Sequence, residues 1–422
     1  MSIVRVSGPR ARPTAEALTR RPLEPRAARL AALRTSGTGE LIDRGVVLYF
    51  PGPASFTGED VVEFQVHGSR AIVAAMYRAL SMFEECRPAK PGEFTRRAFE
   101  NGKMDLTMAE GLADLLNAET DLQRRQAHTM MEGGIRDQAE QWRRGIISIL
   151  AQIEARIDFA EEDDVANTEN PDMSRSLSEL TNSMDAVLAT GDRGASIRDG
   201  ASVVILGPPN AGKSSLLNAL AARDVAIVTP IAGTTRDPIE AQIDIHGIPV
   251  TLVDTAGLRE SADQIESEGV SRALRRAAAA RLVIWISDND ARLPAGVVGD
   301  DMAVLNVRSK VDLSPPETNP SAGFIPISSR TGQGLDTLLR RISETILDDA
   351  KIFEPALVSR SRQLGQIRRA RSILDGIAKS TGRPELAAID LKAAVAAIDN
   401  LIGSIDNETV LDEVFSSFCI GK

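Results

Sequence analysis

The rhythm of apolar positions changes several times along this chain. From Val46 to Val66 it is short and β-like: VVLYF (46–50), the turn-forming PGPAS (51–55), then the alternating VVEFQV (61–66). A helical stretch over 69–83 follows, then Pro88 and the segment PGEFTRRAFENGKMDL (91–106), so residues 1–102 read as an α+β unit. From about 104 to 190 apolar residues recur at helical spacing (Leu106, Leu112, Leu115, Leu116, then Ile146, Ile149, Leu150, Ile153, Ile157). The acidic run Asp158–Asp164 interrupts that pattern and reads as a solvated loop or helix end. Near Ala201 strand-like VVIL, HGIPVTLVD, LVIWIS and MAVLNV alternate with helical SSLLNALAA, EGVSRALRRAAAA and GLDTLLRRISETIL. This βαβ rhythm predicts a mostly parallel sheet covered by helices. After about 345 the chain is helical again, with Pro384 placed as a first-turn residue. The expected organisation is an α+β unit (1–102), a helical domain in two parts (103–199 and 346–422), and an α/β domain (200–345) inserted between them.

Composition narrows the class. The 422 residues are 43% apolar and 26% charged, which is ordinary for a folded chain and argues against wholesale disorder. Two cysteines exclude a disulfide scaffold and fit a reducing cytoplasm. No apolar run approaches the ~18 residues of a bilayer span, so no membrane partner is expected. The formal net charge of −10 argues by itself against a nucleic-acid partner. Residues 1–34 run the other way, with eight arginines against Glu16 and Glu24; they read either as a solvated basic face or as an anion-binding region.

The chemistry concentrates in Gly207–Ser214, GPPNAGKS, which satisfies GxxxxGK(S/T) directly after the strand VVIL and before a helix. Glycines let backbone N–H groups wrap phosphates, and the helix N-terminus adds its positive dipole end. Asn210, Ala211, Gly212, Lys213, Ser214 and Ser215 are therefore the expected phosphate contacts, with Lys213 a catalytic charge on the β/γ-phosphates and Ser214 a Mg²⁺ ligand. Downstream, the strand Val250–Asp254 ends in DTAG, where Asp254 can reach Mg²⁺ through water and Gly257 can sense a γ-phosphate. Between them, Thr235 of GTTRD (233–237) is placed to complete the Mg²⁺ shell.

Guanine is expected as the base from Ser309-Lys310-Val311-Asp312, because a carboxylate at Asp312 accepts the N1–H and N2 amino hydrogens that adenine lacks. The usual pattern has Asn where this chain has Ser309. Ser328, Ser329 and Arg330 resemble the segment that closes over the base. After Asp254-Thr-Ala-Gly257 comes Leu258, where many GTPases carry a water-orienting glutamine, so catalytic help must come from elsewhere. Glu260, Asp263, Glu266 and Glu268 are the acidic candidates, and spacing does not choose among them.

These strings resemble one family, the tRNA-modification GTPases MnmE (TrmE). The resemblance runs over essentially the whole chain and includes FPGPASFTGEDVVEFQVHG, RPAKPGEFTRRAFENGKMDL, GPPNAGKSSLLNAL, AIVTPIAGTTRD, DTAGLRE and the terminal FSSFCIGK. It implies a cytoplasmic homodimer with an N-terminal folate-binding domain, a helical domain and an inserted Ras-like P-loop G domain. It also implies that K⁺ does the work of an arginine finger, with Asn210, Thr229, Ile231 and Thr234 as K⁺ ligands and Thr229 and Thr234 beside the GTP. The family's water-orienting glutamate aligns with Glu266. Its folate site falls on Arg5, Glu63, Lys103 and Lys422, around 5-formyltetrahydrofolate. The implied activity uses that one-carbon folate and a flavin-dependent partner, MnmG (GidA). Together they install aminomethyl or carboxymethylaminomethyl groups at C5 of the tRNA wobble uridine.

Four features depart from or add to that pattern. The chain opens at MSIVRVSG, about where the family's second strand is expected, and the stretch between Gly257 and Lys310 is shorter than expected. Cys419, fourth from the end, is marked as a possible reactive thiol; Gly421 and Lys422 make it a poor lipidation signal. His246-Gly247 reads as a hairpin turn. A rival reading is a regulatory GTPase of ribosome assembly without modification chemistry, disfavoured by FTGED, PGEFTRRAF and CIGK. An ATP-binding P-loop module is disfavoured by Asp312.

Overall fold

A computed structural model describes residues 1–158, 171–222, 240–254, 280–299, 301–313, 323–347, 356–379, 383–403, 408–416, 418 and 421. Within it the chain forms two compact units, one of residues 1–113, 131–143 and 396–422, the other of residues 114–130 and 144–395.

The first unit is built on an antiparallel sheet of β1 (Ser2–Ser7), β2 (Arg29–Arg34), β3 (Leu41–Phe50) and β4 (Val61–Val66), in the spatial order β1-β4-β3-β2. Alternation divides its faces. Val4, Leu33, Val47, Tyr49, Val62, Phe64 and Val66 are buried in one cluster with α1 (Ala11–Thr19) and α2 (Arg70–Ser81). Helix α1 contributes Ala11, Ala15 and Leu18 at helical spacing. Helix α2 starts where Ser69 Oγ accepts the Ile72 N–H at 3.2 Å, an N-cap, and turns Met76, Ala79 and Leu80 onto the sheet. The residues between the buried ones, Arg5 and Glu63 among them, belong to the opposite face.

Helices α3 (Glu93–Glu100) and α4 (Leu106–Leu116) complete the covering of this unit, together with a helix at Glu408–Ser416. The Phe415 and Phe99 rings meet tilted at 52° with centroids 6.2 Å apart, in a cluster with Ala109, Ala113 and Phe418. Gly92 permits this approach: its φ is +65°, and a Cβ there would lie 2.4 Å from the Phe415 carbonyl oxygen.

Of α5 (Asp121–Met131) and α6 (Gly134–Asp158), residues 121–130 and 144–158 belong to the second unit; with α7 (Pro171–Leu188) and α8 (Gly191–Asp199) they precede the α/β part. That part contains β5 (Ala201–Leu206), α9 (Lys213–Ala221), β6 (Glu240–Ile245), β7 (Ile248–Asp254), β8 (Leu282–Ser287), β9 (Val304–Arg308), β10 (Phe324–Pro326) and α10 (Leu335–Leu347). The sheet order is β10-β9-β8-β5-β7-β6, parallel except for the β6–β7 hairpin, which turns at His246-Gly247 as expected. Val203–Leu206 of β5 read as an apolar run because both faces are covered; Val203 and Ile205 enter one core cluster and Val204 and Leu206 another. Thr120 Oγ1 donates to the Gly247 carbonyl at 2.6 Å, and Leu122 of α5 joins the main core cluster, so the helical residues before the sheet are tied to the hairpin. Helices α11 (Ser361–Lys379) and α12 (Pro384–Ile402) follow; α11 packs on α7, with Arg371 paired to Asp185 at 3.0 Å. Residues 268–279 of the helix expected over 268–280, and the acidic run beyond Asp158, lie outside the described residues. Among the described residues no helix is long and apolar enough to cross a membrane.

Candidate functional site

The loop after β5 is shaped by what its neighbours leave room for. At Gly207 a Cβ would sit 2.2 Å from the Ile286 carbonyl oxygen of β8, so only glycine lets β5 and β8 run side by side into the loop. Asn210 turns the chain at φ +60°, a left-handed conformation that Asn tolerates, and Gly212 at φ +99° precedes α9. The first turn of α9 carries Lys213, Ser214 and Ser215, whose N–H groups have no intrahelical acceptor. Lys213 Nζ donates to the Gly207 and Pro208 carbonyls at 3.0 and 2.8 Å, arching over the loop from its far end. Amide dipoles, a helix N-terminus and an ammonium thus converge in one short segment, the arrangement that binds phosphate groups.

The segments expected to read the base follow the ends of β8, β9 and β10. Asp312 lies in a one-turn helix, Val311–Leu313, after a left-handed Lys310 at φ +58°. The fully buried Ser328 donates its Oγ–H to Asp312 Oδ1 at 2.7 Å and accepts the Thr331 N–H at 3.1 Å. This fixes the carboxylate while leaving acceptor capacity for a base. Ser329 is half-buried and Arg330 exposed in the same turn. Lys310 Nζ pairs with Asp288 at 3.1 Å, an exposed contact after β8 that the sequence reading passed over. Ser309 is 3% exposed; its Oγ–H donates to the Ala211 carbonyl at 2.6 Å, and its N–H donates to the Ser287 carbonyl at 2.8 Å. The position where the familiar pattern has Asn therefore keeps a side-chain link to the phosphate loop.

Asp254 ends β7, with its Cα paired in register to Ile205, two residues before Gly207. The Ser214 hydroxyl is a hard oxygen donor at the start of α9, the chemistry Mg²⁺ takes, and the Asn210 carboxamide offers an oxygen of the type K⁺ takes. Thr229, Ile231, Thr234, Thr235, Gly257 and Leu258 lie outside the described residues, as do Glu260, Asp263, Glu266, Glu268, Cys419 and Lys422.

In the first unit a cavity of about 350 Å³ opens along β1. Arg5, Ser7, Phe94, Arg97, Cys86 and Gly421 are among the residues that line it. Arg5 and Glu63 are direct cross-strand partners, 2.7 Å apart as an ion pair, and the Arg5 guanidinium lies 5.5 Å from the Phe94 ring and 5.9 Å from the Phe56 ring. Lys103 is exposed, and a Cβ on Gly58 would lie 3.3 Å from its Cγ. The charges of PGEFTRRAF have no role legible in the sequence. In the structure Arg97 bridges Glu59 at 3.1 Å and Glu93 at 3.0 Å, Arg87 meets Glu93 through both of its terminal nitrogens, and Ser7 Oγ donates to Glu59 at 2.9 Å. Burial opposes ionisation of Glu93, but hydrogen bonds from Arg87, the Lys90 N–H and Arg97 outweigh it and hold its pKa at about 2. The proximity of Glu93 and Arg97 at helical spacing was the available signal; their bridge to Glu59 was not visible.

Comparison with known proteins covers the full chain. A family model described as "GTP-binding protein TrmE N-terminus" matches residues 1–103, and one described as "MnmE helical domain" matches residues 106–419, spanning both sides of the six-stranded sheet. A protein of Rhodopseudomonas palustris (strain ATCC BAA-98 / CGA009) named "tRNA modification GTPase MnmE" is 48% identical over 430 residues, covering 100% of this chain and 96% of that one. Proteins of the same name from Azorhizobium caulinodans and Parvibaculum lavamentivorans are 46% and 45% identical, each covering 100% of this chain and 96% and 97% of their own.

Proposed function

The chain belongs to the family of tRNA modification GTPases MnmE, and from that premise we propose how its parts divide the work. Residues 200–345 are the inserted G domain, residues 1–102 the folate-binding and dimerisation domain, and residues 103–199 with 346–422 the helical domain. GTP is held by Asn210–Ser215, Thr229, Thr234, Thr235, Asp254, Gly257, Ser309, Lys310, Asp312 and Ser328–Arg330. Mg²⁺ is held by Ser214 and Thr235, and K⁺ by Asn210, Thr229, Ile231 and Thr234. When bound, K⁺ supplies fixed positive charge where negative charge develops on the phosphates. Lys213 neutralises phosphate charge, and Glu266 orients the attacking water in place of the glutamine that Leu258 displaces.

Arg5, Glu63, Lys103 and Lys422 hold a one-carbon tetrahydrofolate such as 5-formyltetrahydrofolate. Supporting this, Gly421 lines the same cavity as Arg5, next to Lys422 in sequence. Cys419 is a candidate thiol for that chemistry. The chain works in the cytoplasm as a homodimer, with a flavin-dependent partner of the MnmG (GidA) type, on C5 of the tRNA wobble uridine. The observation that carries the nucleotide half of the reading is Asp312, held by Ser328, in a loop that Ser309 ties to the phosphate loop.

The test joins both halves. GTP turnover by the full chain is measured in K⁺ and in Na⁺, and wobble uridines are analysed by mass in a deletion strain complemented with this chain. Faster turnover in K⁺ and restored C5 modification are expected; equal rates in both salts remove the cation role, and unmodified uridines remove the modification role.

A further inference from the structure

We infer that the cavity along β1 takes the glutamyl tail of the folate, and that it favours a tail of several γ-linked glutamates over a single one. The inference rests on the assignment of Arg5 and Glu63 to a tetrahydrofolate. A folate ends in a glutamate, and each further γ-linked glutamate adds one amide and one carboxylate. A slot for such a tail needs free hydrogen-bonding groups for the amides and positive charge for the carboxylates. The first of these comes from the outer edge of the strand. β1 is the terminal strand of its sheet and pairs on one side only, with β4. The Gly8 N–H donates to the Asp60 carbonyl at 2.9 Å, continuing the register in which Ser7 faces Val61. Counting back two residues at a time, Val6, Val4 and Ser2 turn their N–H and C=O groups to β4. Those of Ile3, Arg5 and Ser7 face the other way, and among the described residues they have no hydrogen-bond partner. The cavity is lined by every residue from Ile3 to Ala11, so it follows this open edge instead of lying over one face of the sheet.

The positive charge lies at the far end. From Arg5 the cavity runs past Ser7 to the turn at Gly8 and the start of α1. There Arg10 is the N-cap residue, no side chain caps the helix, and its first turn carries no acid. Four arginines line the cavity (Arg5, Arg10, Arg87 and Arg97) against two glutamates, Glu85 and Glu93. Arg10 pairs with Glu85, yet each side chain is 59% exposed, and a pair so exposed is weakly held. A ligand carboxylate can take the place of Glu85 on Arg10, and Glu85 then returns to water with no buried charge left behind. Arg87, also exposed, stands beside it in the same lining. Arg5 thus marks the end of the cavity nearest the folate ring, and Arg10 with Arg87 the end that meets the tail.

The test titrates the full chain with 5-formyltetrahydrofolate carrying one glutamate and, separately, three γ-linked glutamates, and follows the heat of binding. The triglutamate is expected to bind about tenfold more tightly at ~0.1 M salt. Glu85→Gln, which frees Arg10 of its competitor, is expected to widen that ratio by about threefold. Arg10→Gln is expected to bring the ratio to within about twofold of one. Both positions are exposed, and the melting temperature of each variant is expected to match the parent. Equal affinities of the parent for the two ligands overturn the inference. So does a preference that neither substitution moves, which marks a diffuse attraction to the arginine-rich region. A parent chain that binds neither form overturns the folate assignment itself, and the inference with it.

Discussion

The loop after β5 and the cavity along β1 both gather positive charge, but from different materials. In the first, main-chain amides of Gly212–Ser215 do most of the pointing and glycine provides the room: Gly207 has a carbonyl 2.2 Å from where a Cβ would be. In the second, positive charge is carried on long side chains, each held by a carboxylate: Arg5 by Glu63, Arg97 by Glu59 and Glu93, Arg87 by Glu93. A backbone site has a fixed shape whatever the pH. A site of paired side chains can exchange partners when a ligand enters, and loses its frame when the carboxylates are protonated. The difference shows why the loop's geometry is set within one strand–turn–helix segment, while the cavity's frame draws on elements far apart in the sequence.

Perturbing each site tests that contrast, beginning with the largest effect. Lys213→Ala should lower GTP turnover by roughly 10²–10³-fold, since it removes the charge aimed at the transferring phosphate; steady-state hydrolysis at saturating GTP reads this directly. A loss under about threefold would make the lysine a loop brace for Gly207 and Pro208 only. Asp312→Asn should raise KM for GTP on the order of 10²-fold and bring activity back with xanthosine triphosphate, whose base presents the matching donor–acceptor pattern. Failure of the xanthine nucleotide to compete would show that Asp312 does not read the base. Glu266→Ala should reduce kcat on the order of tenfold or more with nucleotide affinity little changed, as measured by single-turnover hydrolysis; unchanged kcat points back to Glu260 or Asp263.

The smallest effect belongs to the side-chain site. Glu93→Gln should destabilise the protein by about 2 kcal/mol in urea at pH 7. The sign follows from the depressed pKa: the native carboxylate titrates near 2 and the unfolded one near its ordinary 4.5, so its stabilisation is complete above about 4.5. It is lost as pH falls from there towards 2. The gap between parent and variant should therefore close over that range, and a gap constant with pH would show that Glu93 acts by packing and not by charge.

What could be read in advance follows the same division. GPPNAGKS was legible because strand, glycine turn and helix start are contiguous, and each constrains the next through local geometry. Asp312 was legible because the strand MAVLNV sets it at a predictable distance. The His246-Gly247 turn and the helix start at Pro384 were read for equally local reasons and stand in the structure. Arg97 and Glu59 were not legible as partners, being 38 residues apart on different elements, and a charge run carries no record of what it will face. Ser309 was read as a departure from pattern, and only the approach of Ala211 shows that its shorter side chain still reaches.

From the sequence alone came the α+β and α/β textures, the strand–glycine turn–helix of 207–214, the place of Asp312 after β9, and the family. All of these depend on periodicity and contiguous motifs, whose physics acts within a few residues. Tertiary structure alone decided that Arg5 pairs with Glu63 across β1 and β4, that Phe415 returns to Phe99, and that one serine hydroxyl joins two loops. Those contacts depend on strand register and on helix packing against buried faces, which are set by burial of the whole core and not by any neighbouring residue.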